Sequence, residues 1–176
     1  MSNLLIISAL GKDRPGIVND LSRAVLDHGC SILDSRMTVL GGEFAVIMMV
    51  SGNWSGVAKL EGALPGLEKR LNLTLTSRRT EPRKSTSAAI PYSVEVVALD
   101  NPGIVHRLAG FFSSRGINIH DLYTGSYAAA HTGTPMFTLS MTVEIPAETH
   151  LGALREQFMD FCDELNLDAV MEPVKG

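Results

Sequence analysis

The chain has 176 residues, of which 45% are hydrophobic and 19% are charged, and its formal net charge is −4. This composition predicts compact globular order, and the acidic balance argues against direct nucleic-acid binding, which needs basic residues to neutralise phosphates. The longest apolar run, residues 44–50, is far too short to span a bilayer, and no basic residue precedes the apolar N-terminal stretch. We therefore expect neither a membrane segment nor a secretory signal.

The first part of the chain predicts six elements, bounded by Gly, Pro and Asn. Apolar runs predict strands, and apolar residues spaced three or four apart predict one buried face of a helix. Asn53 is placed to cap the second helix, and Gly41-Gly42 suits a two-residue hairpin turn. In chain order the elements are a strand at 4–10, a helix at 17–28, strands at 32–40 and 43–51, a helix at 57–67 and a strand at 73–77.

Two prolines bear on the helices of this part. Pro15 suits the first position of the first helix, where a missing N–H costs little. Pro65 is expected to kink the second helix or to split off its last turn. The strand at 44–50 does not alternate between apolar and polar residues, so we expect both of its faces to be covered, the second by the other half of the chain or by a second copy in a homodimer.

The second part repeats the same order of elements. The predicted elements are strands at 92–99, 117–126, 136–145 and 167–171, and helices at 104–112 and 151–165. Residues 81–91, rich in Pro, Ser and Ala, are expected to be a linker between domains at 1–80 and 92–176. Four basic residues beside this linker, Arg78, Arg79, Arg83 and Lys84, are expected to be solvated. The order βαββαβ, found twice, predicts an α+β protein of two ferredoxin-like domains with both helices on one face of an antiparallel sheet.

A sequence repeat supports this duplication. The segment Asp13-Arg14-Pro15-Gly16-Ile17-Val18 returns as Asp100-Asn101-Pro102-Gly103-Ile104-Val105, an offset of 87 residues. The two copies share nine identities over 22 ungapped residues. A duplicated small module without a catalytic domain is typical of a sensor or an adaptor.

The repeated loop lies between a strand and a helix. The backbone N–H groups of Gly16, Ile17 and Val18 are expected to lack intrahelical partners and to carry the positive end of the helix dipole, which suits a carboxylate. Asp13 beside them could meet an ammonium group. The alternative is that Asp13 and Asp100 simply cap their own helices.

The loop and the element order resemble the ACT domain family over residues 3–80 and 91–172. The resemblance implies paired domains that bind amino acids and signal to a partner. It implies ligand sites at the two loops, and Arg14 and Asn101 suggest that these sites differ in ligand or occupancy. The ligand-binding residues would be Asp13, Arg14, Gly16, Ile17, Val18, Asp100, Asn101, Gly103, Ile104 and Val105.

Further segments resemble the tandem-ACT repressors of the glycine cleavage genes. They are Gly29-Cys30-Ser31-Ile32-Leu33-Asp34-Ser35-Arg36, Leu40-Gly41-Gly42-Glu43-Phe44 and Ser51-Gly52-Asn53-Trp54, followed by Leu64-Pro65. This resemblance implies a cytoplasmic, non-catalytic regulator without a cofactor. It would antagonise a LysR-type activator by protein contact, and glycine would relieve that contact. Two alternatives remain open: a regulatory subunit of an amino-acid metabolic enzyme, and a fragment of a folate-dependent deformylase, which the second copy argues against.

The histidines, the cysteines and two aspartates are the remaining candidates for catalysis or metal binding. The five histidines show no metal-ligand spacing, and neither Cys30 nor Cys162 lies in an activating motif, so we expect no metal site and two buried thiols in a reducing compartment. Asp34 and Asp121 could be paired acids, or could accept hydrogen bonds from nearby backbone donors. No enzyme signature emerges.

Overall fold

The computed structural model describes residues 3–84 and 88–175, which form two compact units divided after Lys84. We call residues 3–84 unit 1 and residues 88–175 unit 2. Each unit contains a four-stranded antiparallel sheet and two helices.

Unit 1 has its first strand at the centre of the sheet, paired with the third and fourth strands. The sheet order is β2-β3-β1-β4. The two-residue turn between β2 and β3 places Gly41 at a φ of 62°, which glycine adopts without strain. The elements are β1 (Asn3–Lys12), α1 (Ile17–Asp27), β2 (Ser31–Leu40), β3 (Glu43–Gly52), α2 (Trp54–Leu71) and β4 (Thr74–Thr80).

Unit 2 repeats this arrangement with the sheet order β6-β7-β5-β8. The predicted α+β class of two ferredoxin-like βαββαβ domains is therefore confirmed. Its elements are β5 (Ile90–Leu99), α3 (Ile104–Ser113), β6 (Asn118–Ala128), β7 (Pro135–Ile145), α4 (Leu151–Glu164) and β8 (Asp168–Pro173).

Each unit has its own hydrophobic core between the helices and one face of the sheet. In unit 1, α2 buries Val57, Leu60, Leu64 and Leu67, and α1 buries Ile17, Leu21, Ala24 and Val25. The first helix ends one residue before the predicted bound, and His28 follows its end, where the His28 Nδ1 lies 2.7 Å from the Ala24 carbonyl. In unit 2 the core includes a cluster of four aromatic rings with centroids 5.0–5.3 Å apart, formed by Phe111, Phe112, Phe158 and Phe161.

The structure corrects the placement of Pro15 and one of the two alternatives predicted for Pro65. Helix α1 begins at Ile17 with Gly16 as its N-cap, so placing Pro15 at the first helical position was wrong. Pro15 lies instead in the turn that precedes the cap. Helix α2 runs without a break through Pro65 to Leu71, so the predicted split of its last turn was wrong, and the predicted kink at Pro65 stays a prediction.

The second face of strand β3 is only partly covered. Phe44, Val46, Met48 and Val50 are buried toward the helices, whereas Ile47 on the opposite face is 51% exposed. The apolar run therefore does alternate in burial, although not in residue type. Coverage of the opposite face by a second copy of the chain stays a prediction.

The basic residues near the boundary between the units do not all belong to a linker. Arg78 and Arg79 lie in strand β4, which pairs with β1. The Arg79 guanidinium makes an ion pair with Glu61 on α2, with Nη2 2.6 Å from Oε2. At least one of these charges thus ties a strand to a helix. The predicted segment at 81–91 includes residues 85–87, which lie outside the described part of the chain.

The predicted N-cap of α2 gives a direct test of this fold. The Asn53 side-chain oxygen accepts a hydrogen bond from the Gly56 N–H at 2.7 Å. Asn53→Ala should lower the free energy of unfolding by about 1 kcal/mol, because it leaves that donor without its partner. Asn53→Asp, which keeps an acceptor, is the matched control, and denaturant unfolding followed by circular dichroism measures both. Equal stability of Asn53→Ala and the parent protein would show that the cap does not hold α2.

Candidate functional site

The repeated loops adopt the same backbone conformation in both units. In unit 1, β1 ends at Lys12 and α1 begins at Ile17, with Gly16 between the turn and the helix at φ 91° and ψ −5°. In unit 2, Gly103 takes the equivalent place before α3 at φ 90° and ψ 1°. A side chain is strained at such a φ, which explains glycine at both positions. We call residues 13–18 and 100–105 the entry loops.

The entry loops leave backbone N–H groups available. The first helical hydrogen bonds run from Asp20 N to the Gly16 carbonyl at 2.9 Å and from Arg107 N to the Gly103 carbonyl at 3.0 Å. Neither helix has a side-chain cap. Among the described residues no acceptor meets the N–H groups of residues 16–18 or 103–105, so the positive ends of both helix dipoles face outward.

The isoleucine and valine of each loop have separate roles. The side chains of Ile17 and Ile104 are buried in their cores and anchor the helix starts. Val18 and Val105 are exposed beside the free N–H groups, at 51% and 36%. A ligand could therefore contact the backbone of the isoleucines, but both the backbone and the side chain of the valines.

The aspartates of the loops do not cap the helices, so that alternative was wrong. The backbone N–H of Asp13 donates to the Gly42 carbonyl, and that of Asp100 donates to the Pro135 carbonyl, both at 3.0 Å. These bonds tie each loop to the hairpin of its own sheet. Ser126 Oγ lies 3.5 Å from the Asp100 carboxylate, and the Asp13 carboxylate has no partner among the described residues. Both carboxylates are exposed and available to a cation.

The two loops differ most at their second residue. Arg14 donates from Nη2 to Asp20 Oδ2 at 3.1 Å and from Nη1 to the Pro15 carbonyl at 3.2 Å. Its charge is therefore already paired within unit 1. Unit 2 carries Asn101 at this position and Arg107 at the position of Asp20. The position of the acidic partner of Arg14 in unit 1 is thus occupied by a basic residue in unit 2.

The sequence reasoning missed a second repeated turn. Leu71-Asn72-Leu73 returns as Leu165-Asn166-Leu167, at a different spacing from the first repeat. Asn72 and Asn166 have φ values of 53° and 55°, a left-handed conformation that asparagine tolerates at the end of a helix. A search for short repeats without a fixed offset would have found this signal. In unit 2 this turn lines a cavity together with Asn101 and Arg107.

Asp34 and Asp121 occupy matching irregularities of the two sheets. Each follows a β-bulge in its edge strand, between Ile32 and Asp34 in one unit and Ile119 and Asp121 in the other. Asp34 accepts hydrogen bonds from the Ser35 N–H and from Arg36, whose guanidinium holds the pKa of Asp34 below its ordinary value. For Asp34 the local backbone role is therefore confirmed. Asp121 lies 3.7 Å from His120 Nε2.

The remaining candidates offer little chemistry. Both cysteines are buried, and burial raises the pKa of the Cys30 thiol and that of the Cys162 thiol, the latter to about 11, so neither is a thiolate at neutral pH. Residues 3–84 and 88–175 contain no group of three or more His, Cys, Asp or Glu side chains arranged to hold a metal ion. Within the same ranges, no helix combines the length and apolar character needed to cross a membrane.

Comparisons with known proteins agree with this architecture. Residues 3–77 match the ACT domain family. The glycine cleavage system transcriptional repressors of Escherichia coli K12 and Shigella flexneri are each 34% identical to the chain over 162 residues, covering 92% of this chain and 85% of theirs.

Two solved structures share the fold over essentially the whole chain. One is a provisionally assigned glycine cleavage system transcriptional repressor, 29% identical with a TM-score of 0.75, covering 100% of this chain and 99% of that one. The other is a protein of unknown function from Galdieria sulphuraria, 27% identical with a TM-score of 0.86, covering 99% and 100%. The chain therefore belongs to the family of glycine cleavage system transcriptional repressors, non-enzymatic regulators built from ACT domains.

Proposed function

We propose that the protein is an amino-acid-responsive regulator of transcription that represses the glycine cleavage genes and takes glycine as its effector. The observation that carries the proposal is the pair of entry loops, each with backbone N–H groups that meet no acceptor among the described residues and with an exposed aspartate carboxylate nearby. A carboxylate would accept hydrogen bonds from the N–H groups, and an ammonium group would meet Asp13 or Asp100. The ligand-binding residues are those of the two entry loops other than the prolines, as predicted from the sequence.

The regulatory step is proposed to be contact with a LysR-type activator, made in the cytoplasm and without direct binding of this protein to DNA. The relatives named above support repression, and the net charge of −4 supports a protein target rather than nucleic acid. Glycine would weaken the contact by binding one state of the repressor more tightly than the other. It can shift that equilibrium only by its differential affinity for the two states.

The proposal includes a homodimer. The face of the unit 1 sheet opposite the helices carries two apolar side chains that are about half exposed, Leu10 at 53% and Ile47 at 51%. A second copy of the chain would remove this apolar surface from water.

Replacing the loop glycines tests the ligand site. Gly16→Ala or Gly103→Ala forces a side chain into a left-handed turn and should reorient the free N–H groups, so at least one of them should weaken glycine binding about tenfold or more, which is about 1.4 kcal/mol. Isothermal titration calorimetry on the full chain measures the affinity.

The controls for this test are Gly29→Ala and Gly116→Ala. These glycines also have positive φ, 67° and 66°, but follow the ends of α1 and α3, with open space around an added Cβ. They impose similar backbone strain away from the entry loops. The placement of the ligand site at the entry loops would be contradicted if both loop variants bound glycine as tightly as the parent protein. It would also be contradicted if the control variants lost the same affinity.

A pull-down tests the partner. The tagged full chain should retain the LysR-type activator of the glycine cleavage genes, and millimolar glycine should reduce the retained amount. Light scattering on the same purified chain gives the number of copies and should report a dimer. Retention of a biosynthetic enzyme in place of the activator would instead support the alternative of a regulatory subunit.

A further inference from the structure

A cavity of about 380 Å³ lies in unit 2 between the entry loop and the turn that precedes β8. It is lined by the polar residues Asn101, Arg107 and Asn166 and by apolar residues that include Ala98, Ile104 and Leu167, and polar atoms form the larger part of the exposed lining. Convergent polar groups in a concavity fix the orientation of a small molecule, and this largely polar lining suits a small charged ligand.

Arg107 is the arginine of residues 88–175 whose guanidinium has no partner. Among the arginines of residues 88–175, Arg115 lies over the Phe111 ring at 3.8 Å and donates to the Phe111 carbonyl, and Arg155 donates to the Met171 carbonyl at 3.1 Å. Arg107 has neither an ion pair nor a side-chain hydrogen bond to any described residue. Its guanidinium offers a planar fork of donors, which matches a carboxylate.

In unit 1 the charged residues of the loop form an ion pair with each other. There the equivalent of Arg107 is Asp20, which binds the Arg14 guanidinium at 3.1 Å. A ligand carboxylate at that loop would have to compete with Asp20 for Arg14 and would meet the negative charge of Asp20. At the unit 2 loop, no carboxylate from the described residues occupies Arg107.

The packing below the two loops differs as well. In unit 1, a Cβ at Gly11 would lie 2.6 Å from Leu73 Cδ2, so Leu73 uses the space that glycine leaves. The equivalent residue in unit 2 is Ala98, which has that Cβ and lines the cavity. The Leu167 side chain therefore cannot lie as close to β5 as the Leu73 side chain lies to β1. The turn that contains Asn166 then cannot pack against its strand in the same way.

We propose that the cavity of unit 2 is a carboxylate site, in which Arg107 binds the carboxylate and the Asn101 and Asn166 side chains supply the adjoining hydrogen bonds. The inference rests on the proposed amino-acid-binding function and makes unit 2 the tighter of the two carboxylate sites. The ligand class is a small organic anion with one carboxylate, either an amino acid or a simple carboxylic acid. The two entry loops are then unequal, because in unit 1 Asp20 competes with the ligand for Arg14.

Nuclear magnetic resonance titration of the ¹⁵N-labelled full chain distinguishes an amino acid from a simple carboxylic acid as the ligand and locates the residues that bind it. The probes are glycine, glycolate, which has the carboxylate without the ammonium, and glycinamide, which has the ammonium without the carboxylate. Glycine and glycolate should shift the amide signals of Asn101, Arg107 and Asn166, whereas glycinamide should not.

The decisive variant is Arg107→Gln, which should raise the dissociation constants of glycine and glycolate about tenfold or more. Arg107→Lys keeps the charge without the planar fork and should show an intermediate loss. The matched control is Arg23→Gln, the same change on an exposed position of α1, and it should alter the constants less than about twofold. The amide spectrum of each variant also reports whether the chain is folded.

Each outcome bears on one of the two proposals. Glycine binding that Arg107→Gln leaves unchanged, or that shifts residues 13–18 alone, overturns the carboxylate site in unit 2 and leaves the amino-acid function standing. Glycolate binding through Arg107 without glycine binding supports the cavity and overturns glycine sensing. The absence of any shift with glycine and glycolate overturns both.

Discussion

The candidate site of this protein depends on a backbone turn that glycine adopts without strain. At Gly16 and Gly103 the chain takes a φ near 90° and passes from the central strand of a sheet directly into a helix. The turn buries the following isoleucine in the core and leaves the next N–H groups without acceptors. Three consecutive residues thus serve both the core and the candidate site. The glycine permits the turn of the backbone, the isoleucine packs in the core and the valine is exposed at the surface.

Duplication of this turn does not make the two units equivalent. The backbone is repeated closely, including the bulges before Asp34 and Asp121 and the left-handed Asn72 and Asn166. The charges around it are not repeated, because an acidic residue of unit 1 corresponds to Arg107 in unit 2. Unit 1 pairs Arg14 with Asp20 inside its loop, whereas unit 2 carries Asn101 and Arg107 at these two positions. The two changes together leave unit 2 with a guanidinium that no acidic residue of the loop neutralises.

Much of the fold could be predicted because its signals are local and periodic. Apolar spacing identified all four helices, Asn53 identified the start of α2, and the repeat of residues 13–34 identified the duplication. Pro15 was wrongly assigned to the first position of α1 because proline suits both a first helical position and a turn before a glycine cap. The alternation in burial of β3 was hidden because its exposed face also carries apolar residues such as Ile47.

The site was less predictable because it depends on contacts between side chains distant in sequence. The entry loops were visible as a motif, but the pairing of Arg14 with Asp20 depends on the rotamers of both side chains. The cavity of unit 2 forms where the entry loop meets the turn before β8. The sequence shows Gly11 in one unit and Ala98 in the other, but the effect of this difference on packing could be predicted only from the contact with Leu73. The repeat of Leu-Asn-Leu escaped attention since its spacing differs from that of the entry loops.

The proposed binding of an amino acid by the duplicated domains is tested most directly by thermal unfolding of the purified chain with each of the twenty amino acids at millimolar concentration. A ligand at about 100 times its dissociation constant adds roughly 2.7 kcal/mol to the free energy of unfolding. At this size, that gain should raise the unfolding midpoint by about 5–10 °C. We expect such a rise with glycine. A midpoint that none of the twenty amino acids raises would contradict the account, and the entry loops would then serve only to start two helices.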